Sequence, residues 1–234
     1  RSSHNAMSWL RCRIPLLPVV LILLALALAL WRLDVSPDLF WDEGWTLMVA
    51  RTWVERGHYG RLLAGQRASA GLSAALPVVA PIALSFRLFG VGIWQARLPM
   101  VMYTLGALCM LHYCARSIYG PRVATATLAV ALFMSPLLDI HPLLVGRMVL
   151  AEMPMLFFLL AGYACLMLSM QGSAWLMLVV LMSWGVALNV QAQPLPFWAL
   201  SLIVPMVIMV LKHQWRVAGL LTIGLLRSLA TQQG

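Results

Sequence analysis

Residues 98–115, LPMVMYTLGALCMLHYCA, contain no Asp, Glu, Lys or Arg. At about 1.5 Å per residue, a helix of this length nearly spans the ~30 Å hydrocarbon layer of a bilayer. Comparable apolar runs recur along the chain, at residues 14–31, 123–138, 153–170, 174–192 and 195–211, and another begins at Val217 and meets Arg227. The sequence therefore predicts an all-α, polytopic transmembrane helical bundle of about six to seven spans.

The composition excludes the common soluble classes. Hydrophobic residues make up 62% of the 234 residues and charged residues 10%, whereas a globular protein is nearer half apolar and a quarter charged. The net charge of +9 is spread between apolar segments and forms no basic stripe, so it favours membrane topology over nucleic-acid binding. The four cysteines show neither CxxC nor metal-ligand spacing and are expected to be reduced packing residues.

Basic residues before the first span orient the chain. Arg11 and Arg13 precede span 14–31, and the positive-inside tendency places residues 1–13 in the cytoplasm. Residues 1–6 have the character of an expression-vector remnant. Residues 32–97 then form an extracytoplasmic loop that holds five of the seven acids. Within this loop, 42–56 is expected to be a helix lying at the membrane surface.

The segment 72–89 decides the topology of everything that follows. It is apolar, but it contains Pro77, Pro81 and Arg87, which favour a re-entrant or interfacial helix over a crossing one. Without a crossing here, the basic segments 116–122 and 212–216 face the cytoplasm. Residues 98–226 then hold the remaining spans, and 227–234 form the C-terminal end. The last apolar run is short, and the alternatives are a fragment, a minimal form or an inactive paralogue.

Two adjacent carboxylates are the sharpest local feature. Asp42 and Glu43 lie between aromatic residues in FWDEGW, residues 40–45, and aromatic side chains favour headgroup depth. An isolated Asp-Glu pair at a helix start is equally well explained as an N-terminal cap with a tryptophan anchor.

A second acid and two arginines extend the candidate site. Glu152 begins a span and Arg147 precedes it. Their alternative explanation is an acid that complements the helix dipole, with a surface ion-pair partner. Arg97 lies just before span 98–115 and, taken alone, is an ordinary snorkelling arginine.

The predicted topology brings these five residues to one membrane face. Carboxylates beside guanidinium groups at headgroup depth can bind a phosphate-bearing lipid and leave one carboxylate for catalysis or a metal ion. Ionisable residues in such a place indicate a functional site.

Four segments, in order, resemble the GT-C superfamily of glycosyltransferases that use lipid-phosphate-linked sugars, in the branch of protein O-mannosyltransferases and bacterial aminoarabinose transferases. They are DLFWDEGWTLMVARTWVERGHYG (38–60), LFGVGIWQARLPMVMYTLGAL (88–108), ARSIYGPRVATATLAVALFMSP (115–136) and GRMVLAEMPMLFFLLAGYACL (146–166). They cover over half of the chain.

The resemblance implies roles for individual residues. Asp42 would be the catalytic base or a metal ligand, Glu43 would support it, and Glu152 would help to complete the site. Arg97 would contact the donor phosphate, with Arg147 at the place of an arginine that often precedes the second acid.

The chain departs from the family pattern at two places. Arg67, in GQRAS, stands where relatives have a proline-rich segment with a basic residue. Gln193, in NVQAQP, follows the fifth span where many relatives carry a lysine. Both are retained as candidate substrate-binding residues.

The resulting expectation is an inverting, single-displacement glycosyltransferase of the cell membrane, in bacteria the inner membrane, with an extracytoplasmic active site. Its partners would be a polyprenyl-phosphate-linked sugar, a hydroxyl-bearing lipid, glycan or protein acceptor, membrane lipids, and a membrane-protein partner or further C-terminal region. No nucleic acid, required cofactor or dedicated metal site is expected, although Asp42 and Glu152 could hold a divalent cation. The alternative is a non-catalytic GT-C-like subunit or a lipid-carrier transporter.

Overall fold

The computed structural model of the chain describes residues 16–71, 74–134, 141–169 and 175–191. These residues form eight helices and one small hairpin. The elements are α1 (Leu16–Leu30), α2 (Trp41–Arg56), β1 (Arg61–Leu63), β2 (Gln66–Ala68), α3 (Leu76–Phe89), α4 (Ile93–Tyr119), α5 (Pro121–Phe133), α6 (Pro142–Val145), α7 (Glu152–Ser169) and α8 (Leu176–Val190).

The helices with membrane-spanning character pack around α4. Within the described residues, α4 and α7 are long and apolar enough to cross a bilayer, and α1, α3, α5 and α8 are shorter apolar helices. Helix α4 contacts α1, α5 and α7, and α7 contacts α8. Gly106 permits the close approach of α4 and α7, because a Cβ there would lie 2.6 Å from the Phe157 ring.

Two apolar clusters hold the molecule together. One joins α1 to α4, α5 and α6 within the bundle, through Leu21, Ala25, Ala29, Leu33, Val101, Leu108, Leu128, Leu132 and Leu143. The other, which we call the loop-side cluster, joins α2 and α3 to the start of α4, the 146–151 loop and the end of α8. Its members include Val49, Ala50, Val78, Val79, Ile82, Phe86, Ala96, Met100, Val149, Ala151 and Val190.

Prolines in α3 and α4 explain how these two helices are joined. Proline has no N–H, so Pro81 leaves the carbonyl of Pro77 without its helical donor, and Pro99 does the same to the carbonyl of Gln95. The Tyr103 hydroxyl of α4 donates to the Pro77 oxygen (2.9 Å), and the Ser85 hydroxyl of α3 donates to the Gln95 oxygen (2.6 Å). Each helix therefore satisfies the carbonyl that a proline frees in the other.

These two hydrogen bonds also show where α3 lies. They pair the start of α3 with Tyr103 and its later part with Gln95, so α3 runs antiparallel to the N-terminal half of α4. Its 14 residues extend for about 21 Å, less than the ~30 Å of a hydrocarbon layer. Helices α1, α5 and α8 are of similar length, so the absence of a crossing at segment 72–89 stays a prediction.

The short helix predicted at 42–56 is present as α2, and its ends have identifiable causes. The Glu43 carboxylate accepts a hydrogen bond from the Phe40 N–H at 3.4 Å, which satisfies one donor at the helix start. Gly57, with φ of +67°, ends the helix in the left-handed conformation. The buried face includes Glu43, Thr46 and Val49, so a mixed polar and apolar surface packs inward.

Several predicted boundaries differ from the structure. Helix α4 begins five residues before the predicted span at 98 and ends four residues after 115, and α5 ends at Phe133. The all-α expectation omitted the antiparallel hairpin β1–β2, whose register pairs Arg61 with Ala68. The predicted first, 153–170 and 174–192 spans correspond to α1, α7 and α8, whereas the predicted span 195–211 and the run from Val217 lie outside the described residues.

Candidate functional site

Five helix ends meet at one end of the bundle. They are the C-terminal ends of α1 and α8 and the N-terminal ends of α2, α4 and α7. Hydrogen bonds link the α1 end to α4, α4 to α2, and α7 to α8. This end, which we call the site end, carries Asp42, Glu43, Arg97, Arg147 and Glu152, as the predicted topology requires.

Glu43 and Arg97 form a bidentate ion pair at the centre of the site end. Arg97 Nε lies 2.8 Å from Glu43 Oε1, and Arg97 Nη2 lies 2.9 Å from Oε2. The exposed fraction is 1% for the Arg97 side chain and 0% for that of Glu43. A planar guanidinium matches a carboxylate in this geometry and charge-assisted hydrogen bonds result, so the pair is rigid.

Backbone groups complete the hydrogen bonding of this pair. Arg97 Nη1 donates to the Leu33 carbonyl at 3.0 Å, and the Val149 N–H donates to Glu43 Oε1 at 3.1 Å. Two side chains thereby join the chain after α1, the start of α2, the start of α4 and the 146–151 loop. A buried ion pair overcomes its desolvation cost only with such additional hydrogen bonds.

The position of Arg97 differs from the prediction that it lies just before a membrane span. It lies inside α4 and not before a span, and three of its five N–H donors bind Glu43 and Leu33. Its predicted contact with a donor phosphate stays a prediction, and in this arrangement the guanidinium is engaged by protein groups.

Arg147 has a different environment. Its side chain is 8% exposed, Nη2 donates to the Trp31 carbonyl, and Nε has no hydrogen-bond partner. Burial, and secondly the nearby positive charge of Arg97, lower the pKa of the Arg147 guanidinium from its usual value. Glu43 neutralises Arg97, but no carboxylate of the described residues pairs with Arg147. The suggested surface ion pair between Arg147 and Glu152 is therefore wrong: Arg147 is buried and its guanidinium contacts the end of α1.

Glu152 is in contact with Gln191. Gln191, the residue after α8, donates from Nε2 to Glu152 Oε1 at 3.4 Å. Two oxygens of this pair, Glu152 Oε2 and Gln191 Oε1, are buried and have no hydrogen-bond partner. Sequence reasoning missed Gln191 and selected Gln193, which lies outside the described residues. No pattern in the sequence marked Gln191, because it falls inside the predicted span 174–192.

Asp42 and Arg67 lie apart from the buried pair. Asp42 is exposed on α2, one position from Glu43, and so points about 100° away from it around the helix. Arg67 is exposed on β2, where its backbone pairs with Leu62. Neither contributes to the hydrogen bonds around Arg97.

No group of three or more His, Cys, Asp or Glu side chains suited to a metal ion occurs among the described residues. His141 is buried and its Nδ1 accepts the Leu143 N–H at 3.2 Å, which caps α6. Cys109, Cys114 and Cys165 are free thiols, as predicted for packing residues, and Cys12 lies outside the described part.

No protein-family model matches the chain, and no curated protein matches it significantly. Among solved structures, it is similar to ArnT from Cupriavidus metallidurans, in a crystal structure bound to undecaprenyl phosphate and in one of the apo state. In both comparisons the TM-score is 0.69 and the sequence identity 19%. The alignments cover 89% and 91% of this chain and 39% of the ArnT chain. The chain thus has a helical membrane fold in common with ArnT and spans well under half of its length.

Proposed function

We propose that this protein is an integral-membrane glycosyltransferase that moves a sugar from a polyprenyl-phosphate donor to a hydroxyl group on an extracytoplasmic acceptor. The observation that carries the proposal is the buried, uncompensated charge of Arg147 at the same end as two carboxylates, Asp42 and Glu152. The similar structure of ArnT has been solved with undecaprenyl phosphate bound, which supports a phosphate-bearing lipid as the ligand.

Arg147 is the residue best suited to the donor phosphate. Burial, and secondly the nearby charge of Arg97, destabilise the charged form of its guanidinium. An anion beside the guanidinium would stabilise that charged form. Its free Nε supplies a donor that a phosphate oxygen can accept. Arg97, neutralised by Glu43, would hold the surrounding segments in place behind it, and Arg67 on its exposed strand would reach only a ligand at the surface.

The proposed reaction is a single displacement. Asp42, exposed on α2, removes the proton of the acceptor hydroxyl as that oxygen attacks the anomeric carbon. The bond between the anomeric carbon and the phosphate oxygen breaks, and its electron pair leaves with the phosphate. Arg147 stabilises the charge that develops on the phosphate.

A divalent cation is not needed for this scheme, but two carboxylates could hold one. Asp42 is exposed and Glu152 Oε2 is free of hydrogen bonds, and carboxylate oxygens are the ligands such cations prefer. A cation there would supply a positive charge that orients the acceptor hydroxyl.

The proposal is tested by transfer assays with a polyprenyl-phosphate-linked sugar and the full chain. Asp42→Asn should lower transfer by about 100-fold or more, because it removes the base while keeping its size. Asp38→Asn, an exposed acid of the same loop, is the matched control and should change transfer less than twofold. If wild type binds the lipid but transfers nothing, the chain is a lipid-binding subunit or a carrier transporter instead.

The location of the site is tested by labelling with a membrane-impermeant thiol reagent. We propose that the site end faces the outside of the cell membrane. In a cysteine-free background, Asp38→Cys should react in intact cells and Tyr119→Cys should not. Both residues are exposed and lie near opposite ends of the bundle. Reaction of Tyr119→Cys alone would reverse the orientation.

A further inference from the structure

The contact between Glu152 and Gln191 leaves one buried acceptor oxygen on each of two contacting side chains. Gln191 Nε2 lies 3.4 Å from Glu152 Oε1, and the remaining oxygens, Glu152 Oε2 and Gln191 Oε1, have no partner. Leaving a buried acceptor unpaired costs about 1–3 kcal/mol, more when it is charged. From this we infer that Glu152 and Gln191 form a subsite for the hydroxyl groups of the donor sugar, an inference that rests on the proposed function.

The chemistry of the two oxygens selects the ligand group. A carboxylate oxygen and an amide oxygen are both acceptors, so they repel a phosphate, which offers only further oxygens at neutral pH. Neighbouring hydroxyl groups of a pyranose each provide one O–H donor at adjacent carbon atoms. Two acceptors on contacting side chains therefore suit the hydroxyl groups of a sugar and repel the charged end of the same lipid.

The packing around the pair holds it in place. Ala151 and Val190, the residues that precede Glu152 and Gln191, are both buried in the loop-side cluster. Val149 of the same loop belongs to that cluster and also donates to Glu43. The loop-side cluster thus fixes the backbone of both residues, so that the two oxygens are presented without the entropy cost of ordering long side chains on a mobile loop.

This assignment determines how the donor lipid would be oriented in the site. Arg147 contacts the end of α1 through the Trp31 carbonyl, whereas Glu152 and Gln191 stand where α7 begins and α8 ends. The phosphate would lie toward α1 and the sugar toward α7 and α8. Gln191 then acts as a specificity-determining residue, since it contacts the sugar but not the phosphate.

Binding of two lipids tests the inference. The dissociation constants of a C55 polyprenyl phosphate and of the same lipid carrying glucose are measured with the full chain, in buffer containing a chelator. Wild type should bind the glucose-bearing lipid about tenfold more tightly, which corresponds to one or two good hydrogen bonds. Gln191→Met should lose about fivefold or more of that preference and should bind the sugar-free lipid as wild type does.

Asn189→Met is the matched control, because it removes an exposed amide from the same last turn of α8; the sugar preference should be unchanged. Glu152→Gln should also lower the preference, and a thermal unfolding measurement identifies any variant that fails to fold. An undiminished preference in both Gln191→Met and Glu152→Gln would overturn the subsite while leaving the proposed function intact. So would a sugar preference in wild type that appears only when divalent cations are present. If wild type binds neither lipid, the proposed function fails and the subsite fails with it.

Discussion

Two groups of polar residues at the site end differ in how completely they are paired. Around Glu43 and Arg97, both carboxylate oxygens and three guanidinium donors are engaged within the protein. Around Arg147, Glu152 and Gln191, one atom of each side chain is buried without a partner. We call the first the closed pair and the second the open group.

This difference in hydrogen bonding indicates a separate role for each group. In the closed pair, both carboxylate oxygens of Glu43 and three of the five N–H donors of Arg97 bind protein groups, and the pair joins four segments of the chain. Buried polar atoms without a hydrogen-bond partner destabilise the free protein, and a ligand that pairs with them would remove this cost. The candidate site residues thus divide into the closed pair, which links segments of the fold, and the open group, to which we assign ligand binding in the proposed function.

The largest effect is expected from breaking the closed pair. Glu43→Gln leaves the buried Arg97 without its counter-charge, and the free energy of unfolding should fall by about 3–5 kcal/mol. Glu55→Gln is the control, because its partner Arg51 is exposed and the expected loss is about 0.5 kcal/mol or less. Chemical denaturation in detergent measures both.

The same experiment has a form that could contradict the scaffold role. The double variant Glu43→Met with Arg97→Met removes both charges together, so it should recover part of the stability lost in Glu43→Gln. If Glu43→Gln unfolds like wild type but abolishes transfer, the closed pair belongs to the chemistry and the comparison with the open group collapses.

A second test concerns the charged member of the open group. Arg147→Met should weaken binding of a sugar-free polyprenyl phosphate by roughly 10- to 100-fold, the value of one charge-assisted hydrogen bond. Its stability should change little, because the substitution also removes a buried charge that lacks a carboxylate partner. Arg87→Met, at an exposed position of α3, should leave binding unchanged. Equal affinities for the two variants would move the phosphate elsewhere, with Arg97 as the next residue to test.

A third test concerns the hydrogen bonds between α3 and α4, which involve neither the closed pair nor the open group. Tyr103→Phe or Ser85→Ala removes the hydroxyl that satisfies a proline-freed carbonyl, and each should lower the free energy of unfolding by about 1 kcal/mol. Thr127→Ala is the control, because its exposed hydroxyl bonds only within its own helix. A larger loss in the control than in either variant would show that these interhelical bonds contribute nothing.

The smallest effect is expected from removing divalent cations. Excess chelator should change transfer by less than twofold, because the proposed subsite uses the oxygens of Glu152 and Gln191 to accept hydrogen bonds from hydroxyl groups, and the described residues include no group of three metal-ligating side chains. If the chelator abolishes transfer and Mg²⁺ restores it, Glu152 and Asp42 bind a divalent cation that the reaction needs.

Several parts of the fold could be predicted from the sequence. Uncharged runs of about 18 residues specify membrane helices, because an unpaired backbone or charge in hydrocarbon is costly. The helix in segment 72–89 was also predicted, and the absence of a membrane crossing there stays a prediction. The sequence did not show that α4 extends beyond the predicted span 98–115 at both ends. A charged residue such as Arg97 normally marks the end of a span, and only the structure shows that Glu43 neutralises it inside the protein.

The candidate site was predictable as a set of residues but not as a set of contacts. Order along the chain and topology brought Glu43, Arg97, Arg147 and Glu152 to one end. Gln191 escaped notice because a glutamine at a helix end has no distinctive pattern; only its contact with Glu152 makes it unusual.

By itself, the sequence predicted a helical membrane protein with Asp42, Glu43, Arg97, Arg147 and Glu152 at one end, because hydropathy and charge act on each segment independently of its neighbours. Only the tertiary structure decided which carboxylate neutralises which arginine. That choice depends on distances of about 3 Å between residues 54 positions apart. It depends also on one backbone donor, the Val149 N–H, and one backbone acceptor, the Leu33 carbonyl, from segments that are still further away in sequence. Asp42 and Glu43 are adjacent in sequence, yet helix geometry turns one outward and buries the other against Arg97.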